Sequence, residues 1–187
     1  MSNTKIIAKI LHDDDQNGPR EWDNAGTMVC WHSRYTLGDE QPKCDPEEYL
    51  ADLPEGTLVL PLYLYDHSGI SMNTGGFSCA WDSGQVGFIY ATPETIAKEW
   101  NGDRDAAEKC LKAEVAVYDA FIRGNVFGYV IERVEVCDCC GNDKDAEEVD
   151  SCWGFYDIDG GDCLADMVGN AGEEYKEALA EAWENRY

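Results

Sequence analysis

The string DRDAAEKCLKAEVAVYDAFIR, residues 103–123, runs through Gly124-Asn125 into VFGYVIERVEV, residues 126–136, and decides the fold class. In the first string Ala107, Cys110, Leu111, Val115, Tyr118, Phe121 and Ile122 recur at i, i+3 and i+4. That spacing lines one side of an α-helix with a single buried stripe. Gly124-Asn125 ends the helix. The second string reads as a strand, and residues 149–156 read as its hairpin partner across a long polar loop.

Working outward, TKIIAKIL (4–11) and GTMVCWH (26–32) read as strands, separated by a polar, turn-rich loop around Gly18-Pro19. Asp45-Pro46-Glu47-Glu48 is a helix start, and Pro54 and Gly56 keep that helix short. TLVLPLYLY (57–65) is the most hydrophobic strand, with Pro61 demanding an edge position or a bulge. QVGFIYA (85–91) is another strand, and Thr92-Pro93 opens a further helix. The last helix, 173–187, carries Tyr175, Leu179, Ala182 and Trp183 on one side. Strands interrupted by helices, with hairpin connections, predict an α+β chain with a mainly antiparallel sheet and helices packed on it. No repeat or linker appears, so one domain over 1–187 is expected, with a Cys-rich hairpin tip at 137–147 and an acidic C-terminal segment at 162–187.

Composition narrows the function. The 187 residues hold 38 Asp and Glu against 14 Lys and Arg, a net charge of −24, with 44% apolar residues and 11% aromatics. A chain this rich in core formers is not an acidic disordered tail. Direct binding to nucleic acid or anionic lipid is not expected, because phosphate affinity comes from clustered Lys and Arg. No run of about 18 apolar residues is present. The first ten residues show no export signal, so a cytoplasmic setting is expected.

The acids concentrate late in the chain. From 135 to 174 there are thirteen, and Lys144 is the sole base. The candidate partner-binding face comprises Glu135, Asp138, Asp143, Asp145, Glu147, Glu148, Asp157, Asp159, Asp162, Asp166, Glu173 and Glu174. Glu177, Glu181 and Glu184 extend it along the last helix. Self-repulsion of this size opposes folding. Its use would be to present carboxylates where a basic protein expects phosphates. The bland alternative is a solvated surface that keeps the protein soluble.

Nine cysteines, an odd number without an export signal, argue against a disulfide framework. Cys30 and Cys110 sit among apolar neighbours and read as core. Cys137-Asp-Cys-Cys140-Gly141 has the C-x2-C spacing that aims two thiolates at one zinc. Four ligands would require Cys152 and Cys163 to come close, and otherwise this is a hairpin tip with unpaired thiols. No other cofactor is implied.

Two similar turns, Asp66-His67-Ser68-Gly69 and Trp81-Asp82-Ser83-Gly84, offer Asp66, His67 and Asp82 to a metal or a nucleophile, with Asp150 as a further candidate. Turn chemistry alone also explains them. Trp31, Trp81, Trp153, Tyr63 and Tyr65 read as core and turn packing. The 157–168 stretch is similar to a calcium loop, but Gly161 and Val168 stand at its fifth and twelfth positions and supply no side-chain ligand.

The strings GTMVCWH (26–32), LPLYLYDHSG (60–69), WDSGQVGFIY (81–90) and DSCWGFY (150–156) together resemble a family of uncharacterised small acidic proteins encoded by bacteriophages and mobile elements. The resemblance covers residues 20–156 and transfers no catalytic residue. It implies a protein that binds host nucleic-acid machinery such as restriction enzymes or CRISPR effectors. The partner expected is therefore a basic, nucleic-acid-binding host complex in the cytoplasm, with no membrane involved and a homodimer compatible with the sequence. The expectation is an acidic inhibitor acting by DNA mimicry. The alternatives are a small metal-dependent enzyme built on the two turns, and a zinc-stabilised adaptor.

Overall fold

The structure, a computed structural model, describes residues 3–14, 18–137 and 139–186. In chain order its elements are β1 (Asn3–His12), β2 (Thr27–Cys30), α1 (Pro46–Ala51), β3 (Leu58–Asp66), β4 (Ile70–Asn73), β5 (Ser83–Ala91), α2 (Pro93–Trp100), α3 (Arg104–Ile122), β6 (Val126–Val136), β7 (Asp143–Tyr156), α4 (Cys163–Ala171) and α5 (Lys176–Glu184). Short 3-10 turns stand at Pro19–Glu21 and Glu173–Tyr175. Helices make up 32% and antiparallel sheet 34%, the α+β class the sequence predicts. The chain divides into two compact units, one holding β1 with everything from Gly124 onward, the other the elements between them. No composition shift marks these boundaries.

In the first unit β6 is the central strand, antiparallel to β1 on one side and β7 on the other. Side chains alternate along a strand, so Phe127, Tyr129 and Ile131 point the same way. They meet Ile10 from β1, Met167 and Val168 from α4, and Leu179 from α5. Helix α4 lies within the acidic segment, where its periodicity is hard to see because Gly169 and Asn170 interrupt it. Asp162 caps it, accepting from the Ala165 amide at 3.0 Å, and Cys163, Met167 and Val168 form its buried side. Gly172 ends it at φ +118°. The final helix is correspondingly shorter than 173–187, although Tyr175, Leu179, Ala182 and Trp183 face the core as expected.

The hairpin also differs from its sequence reading. β7 starts at Asp143, so the polar stretch 143–148 is strand and the connection shrinks to residues 137–142. Backbone pairing carries it: Val136 stands opposite Asp143, Val134 opposite Ala146 and Arg133 opposite Glu147. Every side chain from 143 to 148 is exposed, so no apolar alternation was there to be read.

The second unit holds the sheet β2-β5-β3-β4. Met28, Leu62, Leu64, Met72 and Ile89 fill its core against Ala107, Leu111, Val115 and Tyr118 of α3. Cys30 is fully buried, whereas Cys110 is only half-buried, a correction to its reading as core. Pro61 meets both halves of its expectation. It faces Phe88 of β5, while β4 pairs with β3 only from Tyr63 onward, and the register shifts between Leu62 and Tyr63. Asp119 of α3 accepts from the Met72 amide at 2.6 Å and from Ser71 Oγ at 2.8 Å, tying the helix to β4.

Candidate functional site

The predicted acids fall on consecutive elements of the first unit. Glu135 is exposed near the end of β6 and Asp145 on β7. Asp143 pairs with Lys5 at 2.8 Å and Glu147 with Arg133 at 3.4 Å, both pairs open to solvent. Glu148 accepts from Ser151 Oγ at 2.8 Å. Asp157 is half-buried and Asp159 exposed in the loop leaving β7. Asp162 caps α4, Asp166 stands exposed in its first turn, Glu173 holds Lys176 at 2.6 Å, and Glu174 is exposed. Asp138 lies outside the described residues. Asp150 points inward and accepts from the buried Tyr129 hydroxyl at 2.8 Å. This unit holds 20 acids against 6 bases, a net −14 of the total −24. Among the described residues its ion pairs, most of them open to solvent, cancel little of that field.

β7 is an edge strand of its sheet. The register shifts between Val134 and Val136, so Asp143 stands opposite Val136 and reaches Lys5, whereas Glu147 stands opposite Arg133 on the other face. The carboxylates of 143–148 line both faces of the edge strand. β6 and, behind it, β1 back this edge strand. A cationic surface meeting this edge finds carboxylates already ordered by the strand.

The hairpin tip holds the second candidate. The Gly141 amide donates to the Cys137 carbonyl at 2.8 Å, and the Cys137 amide to the Asn142 carbonyl at 2.9 Å. One tight turn results, with Gly141 at φ +71°. It brings the sulfurs of Cys137, Cys139 and Cys140 within 4.8 Å of one another. The Cys137 and Cys139 sulfurs are 2.9 Å apart. The Cys139 thiol, with the amides of Cys139 and Cys140, pulls the Cys137 thiol down to about 7, while the Cys139 thiol is pushed up by its two neighbours. These three residues could hold a metal ion, and they are the sole such group among the described residues.

The zinc set expected from spacing is corrected by this geometry. Cys152 stands opposite Tyr129, seven residues along β6 from Val136, which is roughly 23 Å at ordinary strand rise. Cys163 is buried against the core at the start of α4, where burial pushes its thiol up to about 12. Cys139 takes part instead. Its signal was present as three cysteines in four residues, and the C-x2-C template passes over the one in the middle.

The two turns of the second unit do meet. The Asp66 amide donates to the Asp82 carbonyl at 2.8 Å, and His67 Nδ1 lies 3.4 Å from Asp82 Oδ2. The same Asp82 oxygen accepts from the Cys79 thiol at 3.4 Å. Asp66 turns elsewhere, held by Arg34 at 3.1 Å and the Tyr35 hydroxyl at 3.2 Å. His67 is largely exposed, and Trp81 is 97% exposed, so the reading of Trp81 as packing is corrected. Trp153 is half-exposed on β7. A carboxylate between thiol and imidazole is the wrong order for activating a nucleophile, which needs the base next to it.

A cavity of about 490 Å³ lies between α4 and α5, lined by Leu164, Ala165, Val168 and Ala180 with the Glu173–Lys176 pair at its side. No helix among the described residues is long and apolar enough to cross a membrane. No protein-family model, curated protein or solved structure matches the chain.

Proposed function

We propose that the chain is a non-enzymatic inhibitor, made by a phage or mobile element, that binds a basic, nucleic-acid-binding complex of host defence. The complex is a CRISPR effector or a restriction enzyme, met in the host cytoplasm, and the inhibitor occupies the channel where nucleic acid would lie. The observation that supports this reading is the exposed set Asp143, Asp145, Glu147 and Glu148 on the edge strand β7, in a unit that also carries the acids of α4 and α5. Backed by its sheet, the edge strand presents carboxylates on both faces to an approaching cationic surface. Long-range attraction would speed encounter, and Lys and Arg of the channel would exchange phosphates for carboxylates.

The test is capture of the complex from a lysate of defence-bearing cells, followed by binding of the purified partner over a salt series. The expected result is binding that weakens steeply with salt and is displaced by added DNA. Reversal of Asp145, Glu147 and Glu148 to Lys should lower affinity at least tenfold with the fold intact. Unchanged binding by that triple variant would refute the acidic-face mechanism. The reading needs no cofactor.

A further inference from the structure

We propose that Cys137, Cys139 and Cys140 form a three-thiolate site for a single cuprous ion, in place of the four-ligand zinc site that C-x2-C spacing suggests. Sulfurs within 4.8 Å of one another enclose a point no more than about 2.8 Å from each. A metal–thiolate bond is about 2.3 Å long, and three such bonds in a plane set the sulfurs about 4 Å apart. The tip reaches this by small side-chain rotations, the largest opening the 2.9 Å Cys137–Cys139 contact. Cys139 and Cys140 are exposed, so their rotation meets little resistance, and Cys137 is half-buried.

The hairpin sets the described backbone on either side of residue 138. Strands β6 and β7 clamp the turn, with Val136 opposite Asp143. Two backbone hydrogen bonds close it, and Gly141 supplies the left-handed residue. Binding would not have to build the loop, which lowers its entropic cost.

The ligand count selects the ion. Structural zinc takes four protein ligands, and no fourth converges here among the described residues. Asp143 is engaged by Lys5 at 2.8 Å, Cys152 lies far along β7, and Cys163 is buried in the core. Soft thiolates favour soft ions, and monovalent copper is satisfied by three sulfurs in a plane. Three thiols give up their protons as three copper–sulfur bonds form, and the metal keeps its +1 state.

The test titrates the reduced full-length chain, without oxygen, with copper(I) held by a chromogenic chelator, and separately with zinc. The expected result is one copper removed from the chelator per chain, with the three tip thiols protected from alkylation. Cys137→Ser, Cys139→Ser and Cys140→Ser should each lower copper affinity at least tenfold, while Cys152→Ser leaves it unchanged. The proposal is overturned if no copper is bound, if Cys139→Ser binds as tightly as the parent, or if equimolar zinc displaces the copper.

Discussion

Arg20 and Glu114, ninety-four positions apart, face each other at 2.9 Å with side chains only 8% and 11% exposed. Arg20 also grips both oxygens of Asp39, at 2.9 and 2.6 Å, and donates to the Gly26 carbonyl at 2.6 Å. The carboxylates complete the network: Glu114 accepts the amides of Ala25 and Gly26 at 3.1 Å, and Asp39 the Met28 amide at 2.7 Å. One guanidinium thus joins α3 to the start of β2 in a protein that is otherwise strongly anionic. Removing one partner of such a buried set strands the others without a counter-charge. Arg20→Met should cost about 3–5 kcal/mol by urea denaturation, and Arg20→Lys most of that, because an ammonium cannot grip a carboxylate with two fixed donors. A loss under about 1 kcal/mol, the range of exposed pairs, would show that solvent reaches the network.

In the first sheet Gly128 lies beneath the indole of Trp153, and a Cβ there would collide with the ring. Gly128→Val should therefore destabilise by about 1–3 kcal/mol and shift Trp153 fluorescence toward that of a solvated indole. Trp153→Ala should relieve the clash, so the double variant loses less than the sum of the two single ones. Additive losses would mean the two positions do not touch.

Burial pushes the Cys30 and Cys163 thiols from an ordinary value near 9 up to about 12. The folded protein then keeps protons that the unfolded chain gives up, so stability is fully present below about pH 9 and falls as pH rises toward 12. Cys30→Ala and Cys163→Ala should flatten that alkaline fall while lowering stability at neutral pH. At pH 7.5, alkylation followed by peptide mass mapping should modify the tip cysteines first and Cys30 and Cys163 only after unfolding. Early modification of Cys163 would contradict its place in the core.

Repulsion within a net charge of −24 should make stability depend on salt. Between 0.01 M and 0.15 M ionic strength the screening length falls from about 30 to about 8 Å. A gain of about 1 kcal/mol, or roughly 2–4 °C in Tm, is expected by calorimetry. A flat response would mean that the charges are already spaced beyond one another's reach.

Much of the fold was open to reading in the chain. The α3 stripe, the Thr92-Pro93 start of α2 and the strands around Pro61 each carry their own local signal: a period, a cap, a fixed φ. The start of β7 and helix α4 were not legible. The first is held by backbone pairing and shows no apolar alternation, and the second has two of its nine residues as Gly169 and Asn170. Asp119, off the apolar stripe of α3, anchors β4, a role no local pattern marks.

The candidate sites divide along the same line. The sequence by itself determined that the chain is strongly acidic, that its acids gather after residue 135, and that three cysteines crowd one turn, because composition and spacing are local properties. Only the tertiary structure decided which acids face solvent, that Asp150 points inward to Tyr129, that Cys152 and Cys163 stay away from the tip, and that Arg20 serves two distant carboxylates. Those are outcomes of strand register and helix packing, which bring together residues far apart in the chain and which no local pattern encodes.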